Sequence, residues 1–289
     1  MFRSNIFKMS SAVRWAFNWK EWNPSEREFE HAISCIQSDE KARLGRFVFR
    51  KDVRASLAGR LLMRKFVSDY GGLPYDKIIF LRNEHNRPVL KDNSIAVSFN
   101  VSHHGSYAVL AGETIHVKLG VDIMTLEHTG NKNIPEYFRL MDRNFSAAEW
   151  REIKGSSGKP EAEQLSMFYR HWALKESYVK ALGVGITVDL RKIDFRTNSS
   201  LREGLITTDT DLYTDAIQQD WLFEETLLDS QHCVAVAISR ENENRSSSRN
   251  VMFETLDYDK LMTHAVPLFP IDSQYTAQYF AKSEKPRFM

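Results

Sequence analysis

The residues best suited to chemistry lie in the segment WALKESYVKALGVG at residues 172–185. If this segment is a helix, Trp172, Glu176 and Lys180 are spaced i, i+4 and i+8 and line one face. A carboxylate one turn from a lysine suits metal-assisted phosphoryl chemistry, because it can hold Mg²⁺ or take a proton while the lysine neutralises phosphate oxygens. Spacing alone favours a simpler interpretation, an ion pair on a solvated helix face.

A second carboxylate, Asp122, interrupts the apolar segment GVDIM at residues 120–124. Burying a charged group between Val121 and Ile123 is unfavourable unless it is paired or binds a cation. The competing interpretation is an aspartate at a strand end that faces solvent. For an isolated residue the two interpretations are about equally supported.

The segment SFNVSHHG at residues 98–105 delivers several polar side chains to a predicted turn. Histidine donors at a strand end can bind phosphate, and Ser102 beside His103 also suits nucleophilic catalysis. Adjacent positions rarely make a catalytic triad, and a surface or hydrogen-bonded histidine is the commoner outcome for His103 and His104.

Residues 41–65 concentrate positive charge, with a single acid, Asp52. Arginine forks match phosphate oxygens, so a phosphorylated ligand or an acidic protein partner could dock on such a face. A solvated helix face is the alternative for most of these residues. The cations of the run are Lys41, Arg43, Arg46, Arg50, Lys51, Arg54, Arg60, Arg64 and Lys65.

The composition indicates a folded protein whose charges nearly cancel. The 289 residues are 42% hydrophobic and 27% charged, and 39 Lys plus Arg against 38 Asp plus Glu leave a formal net charge of +1. This argues against a protein that coats nucleic acid or anionic membranes through bulk charge. Cys35 and Cys233 show no disulfide or zinc spacing, and we find no membrane span or secretory signal. We therefore expect a cytosolic protein with neither nucleic acid nor membrane as a partner.

Apolar periodicity predicts a mixture of strands and helices, which is the α/β (α+β) class. Ser25 and Glu28 form a predicted capping box at the start of the first helix. Further helices are predicted at residues 39–70 and 164–182. Strands are predicted at residues 11–19, 78–81, 95–101, 107–111, 118–124, 190–195, 221–223 and 233–239.

Three regions follow from the turns and linkers. The turn at Gly112, Glu113 and Thr114 places a boundary between an N-terminal subdomain, residues 1–112, and a C-terminal subdomain, residues 113–240. The polar stretch at residues 241–250 reads as a linker. The tail to residue 289 regains apolar residues, so we expect it to pack back on the body.

Taken in order, these segments resemble the Sfp-type 4′-phosphopantetheinyl transferases. The pair formed by GVDI and WALKESYVKA is specific to this superfamily, and it makes the catalytic interpretation of Asp122 and Glu176 the favoured one. The resemblance covers nearly the whole chain, in the segments RWAF, RFVFRKD, AGRLLMRK, RPVL, FNVSHHGSYAVLA, GVDIM, FYRHWALKESYVKALGVG and AVP.

The resemblance implies two similar α/β subdomains related by pseudo-twofold symmetry, with coenzyme A between them. It implies transfer of phosphopantetheine from coenzyme A to a serine of an apo acyl- or peptidyl-carrier protein, a Mg²⁺-dependent holo-acyl-carrier-protein synthase activity that releases adenosine 3′,5′-bisphosphate. The carrier partners it implies belong to fatty acid synthase, a mitochondrial carrier or an aminoadipate-type dehydrogenase, and a monomer would suffice. The alternative is a non-catalytic adaptor that binds acidic carrier domains through residues 41–65.

The resemblance also assigns residues. Asp122 and Glu176 match the Mg²⁺ ligands and Lys180 matches the lysine near the pyrophosphate, so these three are the expected catalytic residues. Met124 stands where bacterial relatives often carry a third carboxylate, so water or His104 must complete the metal shell. The expected coenzyme A contacts, with Arg43 and His103 near the 3′-phosphate, are Arg43, Arg82, Asn83, Glu84, His85, Asn86, Arg87, Asn100, Val101, Ser102, His103, Glu176, Ser177, Tyr178, Val179 and Lys180.

Overall fold

A computed structural model describes residues 12–128, 130, 132–155, 157–184, 188–240 and 251–284. The helices are α1 (Glu26–Ser34), α2 (Ser38–Gly45), α3 (Arg50–Tyr70), α4 (Ile134–Leu140), α5 (Ala147–Lys154), α6 (Glu161–Leu182), α7 (Tyr258–Met262) and α8 (Ser273–Ala281). The strands are β1 (Ala12–Asn18), β2 (Phe80–Arg82), β3 (Pro88–Leu90), β4 (Ser98–His104), β5 (Tyr107–Glu113), β6 (Leu119–Thr125), β7 (Ile193–Arg196), β8 (Asp211–Thr214), β9 (Ile217–Gln219), β10 (Trp221–Asp229), β11 (His232–Ser239) and β12 (Glu254–Leu256).

The first sheet has the order β12-β1-β5-β4, with β1, β5 and β4 antiparallel and β12 parallel to β1. The alternating residues of β1 explain its position, because Trp15 and Phe17 belong to the apolar core under α3. That core also holds Leu57 and Phe66 from the buried face of α3. The long helix is therefore fixed on one face of the first sheet.

The second sheet has the order β10-β11-β6, and α6 lies on β6 and β11. Leu174 and Tyr178 of α6 join Phe223 and Ala235 of the sheet in a second core. The opposite face of β6 presents Leu119, Val121 and Ile123 to the first sheet. The two sheets thus share a third apolar layer, and each carries one long helix on its outer face.

A buried ion cluster crosses this layer. Arg14 of β1 donates to Glu113 of β5 at 2.9 Å and to Glu224 of β10 at 2.7 Å. The side chains are essentially inaccessible to solvent. Because breaking a buried pair leaves an uncompensated charge, the cluster fixes how one sheet meets the other.

Two small sheets and a C-terminal segment complete the described part of the chain. The hairpin β2-β3 and the sheet β7-β8-β9 form separate hydrogen-bonded sheets, although Phe80 of β2 packs into the first core and Phe195 of β7 into the second. After residue 250, β12 pairs with β1, and α8 packs on α1 with the rings of Tyr279 and Phe29 stacked at 3.8 Å.

Several expectations meet the structure directly. The mixed α/β class is confirmed, and so is the capping box, because Ser25 and Glu28 satisfy each other's backbone N–H groups. The single helix predicted over residues 39–70 is wrong. The chain breaks at residues 46–49, where Phe49 is extended, and this lets Leu44 of α2 and Leu57 of α3 reach the same core.

Other boundaries shift. The strand predicted at residues 95–101 runs instead over Ser98–His104, and residues 190–192 form a 3₁₀ turn before β7. Gly112 and Glu113 are not a turn, because both pair within the sheet as the last residues of β5. The subdomain boundary at residue 112 and the pseudo-twofold symmetry stay predictions.

The predicted linker at residues 241–250 lies outside the described residues. Among the residues that the structure describes, no helix is long and apolar enough to cross a membrane.

Candidate active site

Strands β4 and β6 meet along a seam between the two main sheets, and side chains of alternate β4 residues bridge it. The backbone N–H of Val121 donates to Asn100 Oδ1 at 2.9 Å, and that of Thr125 donates to His104 Nδ1 at 2.9 Å. Between these two contacts, Ser102 Oγ donates to Asp122 Oδ1 at 2.7 Å. The period of two along β4 therefore points a row of polar groups at β6.

Lys180 closes this seam from α6. Its ammonium donates to Asp122 Oδ1 at 2.5 Å, to Ser102 Oγ at 2.9 Å and to the carbonyl of Val121 at 3.3 Å. Asp122 is 5% exposed. Burying an unpaired carboxylate is unfavourable, and the contact with Lys180 supplies the opposite charge that its burial requires. Three predicted site residues thus contact one another, Lys180 from α6, Asp122 from β6 and Ser102 from β4.

Gly120 is the reason that α6 comes so close to β6. A Cβ atom at this position would lie 2.0 Å from the carbonyl oxygen of Ser177 and 2.5 Å from the backbone nitrogen of Ala181. Only a residue without a side chain allows this approach. Gly120 belongs to the GVDIM motif, but the sequence analysis assigns it no role. A glycine inside a strand is nevertheless a known sign that another backbone approaches closely.

Glu176 lies one helical turn before Lys180 on the same face of α6 and is half-buried. Burial and the negative charge of Asp122 raise the pKa of Glu176, and Lys180 opposes this only in part. The two carboxylates are therefore electrostatic neighbours that gain from a cation between them.

The donor set fits a hard divalent cation. Asp122 Oδ2 is buried with no hydrogen-bond partner among the described residues, while Oδ1 is occupied by Lys180 and Ser102. Carboxylate oxygens are the ligands that Mg²⁺ prefers. The described residues hold no cluster of three or more His, Cys, Asp and Glu around a metal position, and Met124 packs into the apolar core. Among the described residues, Asp122 and Glu176 are therefore the two carboxylates of this site that a cation could contact.

The two histidines of the seam face different ways. His104 Nδ1 is engaged by Thr125, so only its other ring nitrogen is left for a bound water. The alternation along β4 points His103 to the opposite side of the strand from Ser102 and His104. Both histidines line a cavity of about 680 Å³, together with Trp19 and Lys51. Desolvation by the cavity walls, followed by the positive charges of Lys180 and Arg60, lowers the pKa of His103.

Arg87 is not free to bind a ligand with its whole guanidinium group. It donates to the backbone carbonyls of Lys180 at 2.5 Å, Leu119 at 2.9 Å and Phe99 at 3.3 Å. These carbonyls belong to α6, β4 and the start of β6. Arg87 therefore ties together the three elements that form the seam.

The remaining predicted contacts divide between the β2–β3 turn and the core. Asn83 Oδ1 accepts from the backbone N–H groups of His85 and Arg87, so it shapes the turn. Glu84, His85 and Asn86 are exposed there, Arg43 is exposed on α2, and Arg82 is half-buried at the end of β2.

Four of the predicted contacts are taken up by structure. Asn100 is buried against β6, Tyr178 and Val179 are buried in the core of the second sheet, and the buried hydroxyl of Ser177 donates to the carbonyl of Leu174. Val101 is half-buried against the first core. Their role as coenzyme A contacts stays a prediction. Because the side chains of the three α6 residues are buried, their contacts with coenzyme A would have to come from backbone atoms.

The basic run at residues 41–65 is not a continuous solvated face. Arg64 is 1% exposed and donates to the backbone carbonyls of Tyr75 and Ile78. Several others pair with acids that lie outside residues 41–65. Lys41 pairs with Asp272 and Arg54 with Glu284 of the C-terminal segment, Arg60 pairs with Glu40, and Lys65 pairs with Asp69 one turn later on α3. The expected docking face is therefore much smaller than the sequence indicates.

The site combines the ion pair of Lys180 and Asp122 with a second carboxylate, Glu176, and with the unpaired Oδ2 atom of Asp122. Such a set of groups suits metal-assisted phosphoryl transfer. Comparison with known proteins gives the family. The profile described as "4′-phosphopantetheinyl transferase, N-terminal" matches residues 20–115, and that described as "4′-phosphopantetheinyl transferase superfamily" matches residues 118–237.

Individual relatives agree over most of the chain. L-aminoadipate-semialdehyde dehydrogenase-phosphopantetheinyl transferase of Xenopus laevis is 40% identical over 286 residues, covering 95% of this chain and 94% of the relative. The Homo sapiens protein of the same name is 40% identical over 278 residues, covering 91% and 89%. The 4′-phosphopantetheinyl transferase Sfp of Bacillus subtilis is 28% identical over 172 residues, covering 60% and 71%.

The chain therefore belongs to the 4′-phosphopantetheinyl transferase superfamily, and the resemblance read from its motifs is confirmed. The general activity of this family is the transfer of 4′-phosphopantetheine to carrier proteins.

Proposed function

We propose that this protein transfers the 4′-phosphopantetheine group of coenzyme A to a serine hydroxyl of an apo acyl- or peptidyl-carrier protein. The reaction requires Mg²⁺ and releases adenosine 3′,5′-bisphosphate. The observation that carries the proposal is the contact of Lys180 with Asp122 and Ser102 beneath Glu176, with one buried oxygen of Asp122 unused.

Glu176 is the proposed base. A serine hydroxyl is a poor nucleophile until its proton is removed, and a carboxylate with a raised pKa accepts a proton more readily than an ordinary one. The bond from the serine oxygen to the β-phosphorus forms as the bond from that phosphorus to the departing nucleotide breaks. The serine proton moves to Glu176, directly or through one water.

Lys180 is the proposed electrostatic partner of the phosphates. Its ammonium is already fixed by three acceptors, so it needs little rearrangement to face the pyrophosphate. Asp122 and Glu176 would hold the Mg²⁺ ion. When bound, that ion supplies Lewis-acid stabilisation of negative charge on the phosphate oxygens.

The carrier partners follow from the relatives. The Xenopus laevis and Homo sapiens proteins are named for aminoadipate-semialdehyde dehydrogenase, so we propose the carrier domain of such a dehydrogenase as a substrate. Carrier domains of fatty acid synthase and of a mitochondrial carrier are further proposed acceptors, which would make the protein a holo-acyl-carrier-protein synthase. We propose that it acts as a monomer in the cytosol.

The test is incubation of the full chain with coenzyme A, Mg²⁺ and a purified apo-carrier protein, followed by intact-mass spectrometry. We expect the carrier to gain the mass of one phosphopantetheine group, and to stay unmodified when its acceptor serine is replaced by alanine. An unmodified carrier in the complete reaction contradicts the proposal.

The same assay with EDTA separates an enzyme from a non-catalytic adaptor. An adaptor would bind carrier domains with or without a chelator and would transfer nothing. The adaptor draws little support from the basic run, because Arg54, Arg64 and Lys65 are buried and already bonded to other groups.

A further inference from the structure

His232 lies at the start of β11, where the second sheet meets the turn between β4 and β5 of the first sheet. Its side chain is 4% exposed, and its Nε2 atom accepts a hydrogen bond from the backbone N–H of Ser106 at 3.1 Å. The ring of Tyr107 packs edge-on against it, with the two ring centroids 5.0 Å apart. A buried side chain of the second sheet therefore holds a turn of the first.

The partners of His232 determine which ring nitrogen carries the proton. A backbone N–H can only donate, so Nε2 must be the unprotonated nitrogen in the contact with Ser106. The other nitrogen, Nδ1, lies 2.8 Å from Asp229 Oδ1. Burial opposes the ionisation of Asp229, but hydrogen bonds from His232 and from the backbone N–H of Gln231 outweigh it and lower the pKa of this acid. Asp229 is therefore a carboxylate that accepts from Nδ1–H, and it orients the ring so that Nε2 faces the turn.

The turn fits closely against this histidine. Gly105 has a φ of +59°, and a Cβ atom there would lie 2.3 Å from His232 Nε2 and 2.6 Å from Thr125 Oγ1. Thr125 is the register partner of His232 in the second sheet, and its backbone N–H donates to His104. The second sheet thus holds the turn on both sides, with Thr125 at the end of β4 and His232 just before β5.

This contact bears on the site because β4 and β6 belong to different sheets. Within a sheet, the ladder of backbone hydrogen bonds sets the register of neighbouring strands. Across the seam, side chains of β4 supply the alignment, and Ser102, four residues before Ser106, meets Asp122 and Lys180 there. A shift of β4 along β6 would separate these groups, and a misplacement of about 1 Å can lower a rate by about 100-fold.

We propose that His232 is a positioning residue for phosphopantetheine transfer. By holding the backbone N–H of Ser106, it fixes the place of β4 along β6 and so keeps Ser102 in contact with Asp122 and Lys180. The proposal rests on the proposed function, because Asp122 and Lys180 are the groups that act in that reaction.

Two substitutions of His232 separate its two hydrogen bonds. The amide of glutamine reaches the place of Nε2, so His232→Gln keeps an acceptor for Ser106 and loses the donor to Asp229. The amide of asparagine reaches the place of Nδ1, so His232→Asn keeps the donor to Asp229 and loses the acceptor. We expect kcat for carrier modification to fall by about tenfold or more in His232→Asn and by less than about threefold in His232→Gln.

Urea unfolding of the same variants distinguishes positioning from stability. Each variant loses one buried hydrogen bond, so we expect both to unfold at a lower urea concentration than the unsubstituted protein. His116→Asn is the matched control, because it makes the same chemical change at an exposed histidine between β5 and β6. We expect this control to keep both the rate and the unfolding midpoint.

A measurement without substrate tests the contact itself. A long-range ¹H–¹⁵N correlation spectrum of the ¹⁵N-labelled full chain reports which nitrogen of each histidine ring is protonated, and His232→Gln identifies the signals of His232. We expect the proton of His232 on Nδ1. A proton on Nε2 would overturn the proposal, because that nitrogen could not then accept from Ser106. This spectrum decides the matter if His232→Asn does not fold.

The rates give two further results that would overturn the proposal. One is a normal kcat in His232→Asn, and the other is an equal loss of kcat in His232→Asn and His232→Gln, which would show that activity follows stability alone. The proposed function fails by a different result. If the unsubstituted protein modifies no carrier, that function is wrong and the role of His232 in it is wrong as well. If the protein modifies carrier and His232→Asn does so equally fast, only the present inference is wrong.

Discussion

Lys180 brings together three acceptors with one ammonium group, and this single contact organises the candidate site. The ammonium group neutralises the charge of Asp122 through Oδ1. The other carboxylate oxygen, Oδ2, is buried and has no hydrogen-bond partner among the described residues. A lysine so fixed has lost its conformational freedom before any substrate arrives. Its place at the seam is therefore typical of a preorganised electrostatic group rather than of a surface ion pair.

Replacing Lys180 tests that role. We expect Lys180→Met to lower kcat by about 100-fold or more, because a fixed positive charge near the transferred phosphate is lost. Coenzyme A affinity, measured by calorimetry, should fall far less, since the proposed coenzyme A contacts include other cations, Arg43 and Arg82. Transfer at a near-normal rate would mean that Lys180 only supports the fold.

Glu176→Gln tests the proposed base. We expect the rate of phosphopantetheine transfer to fall by a factor of about 10² to 10⁴, which is the usual contribution of a general base. The exposed Glu163 of the same helix supplies the control, because Glu163→Gln makes the same chemical change far from the seam. Equal activity in the two variants would contradict the assignment.

Single residues also show where sequence reasoning stops. Local signals singled out Asp122, Glu176 and Lys180, namely a charge inside an apolar strand and a regular helical spacing, but only the family resemblance favoured their catalytic interpretation. Glu40 was invisible, since its partners Arg60 and Arg82 lie 20 and 42 residues away. Arg87 was expected to contact ligand, yet its bonds to three backbone carbonyls depend on how distant elements meet.

At the scale of elements, the contact of α6 with β6 decides whether the site exists. The helix supplies Glu176 and Lys180, the strand supplies Asp122, and Gly120 sets the distance between them. Helical periodicity predicted a helix over residues 164–182, and α6 spans Glu161–Leu182. Periodicity does not report how close that helix approaches the sheet.

Gly120→Ala should therefore disrupt both the site and the packing. The new methyl group would meet the carbonyl of Ser177 at 2.0 Å, so we expect a loss of about 1–3 kcal/mol in the free energy of unfolding and a strong loss of transfer activity. Urea unfolding and the carrier assay measure the two effects.

Gly59→Ala is a control of opposite sign. Gly59 lies within α3, and a Cβ atom there would meet nothing within 4 Å. We expect this variant to gain about 0.5–1 kcal/mol in the free energy of unfolding, because alanine loses less backbone entropy in a helix. A stabilised Gly120→Ala, or equal behaviour of the two variants, would contradict the close-approach argument.

The contact between α5 and α6 gives a pH-dependent prediction. His171 is fully buried, with its ring nitrogens 3.6 Å from Glu149 and 3.5 Å from Glu152. Burial alone would lower the pKa of His171, but the two carboxylates outweigh it and raise that pKa. A raised pKa in the folded state stabilises the fold below the unfolded value of about 6.5, and this stabilisation is lost as the pH rises through the folded value.

We therefore expect the difference in unfolding free energy between the unsubstituted protein and His171→Gln to be largest near pH 6 and smaller at pH 9. Urea denaturation at the two pH values measures it. A difference that grows with pH would show that His171 is neutral throughout.

At the scale of the whole molecule, the candidate site takes residues from both halves of the chain. Ser102 comes from the first sheet, while Asp122 and Lys180 come from the second sheet and its helix. The buried contacts of Arg14 with Glu113 and Glu224 hold the two sheets together beneath it. Neither half contains the full set of groups.

Cutting the chain should test this dependence. We expect the fragments 1–112 and 113–289 each to lack transfer activity, because the separated halves cannot form the contact of Ser102 with Asp122. The carrier assay on each purified fragment measures it, with the intact chain as reference. An active fragment would show that one half suffices.

The overall organisation could be predicted in part. The mixed α/β class and the family followed from periodicity and from motifs that are local in sequence. The break between α2 and α3 could not be seen, because the core that Leu44 and Leu57 share forms only when distant strands assemble. The seam was hidden for the same reason: the alternation along β4 predicts a polar face, but not that β6 lies opposite it.

The most direct test of the central claim is the simultaneous measurement of holo-carrier protein by intact mass and of adenosine 3′,5′-bisphosphate by chromatography. We expect the two products in equal amounts with Mg²⁺, and neither product after EDTA treatment until Mg²⁺ is restored. Nucleotide release without a modified carrier, or undiminished modification in EDTA, would contradict the account of a metal-dependent transferase at Asp122 and Glu176.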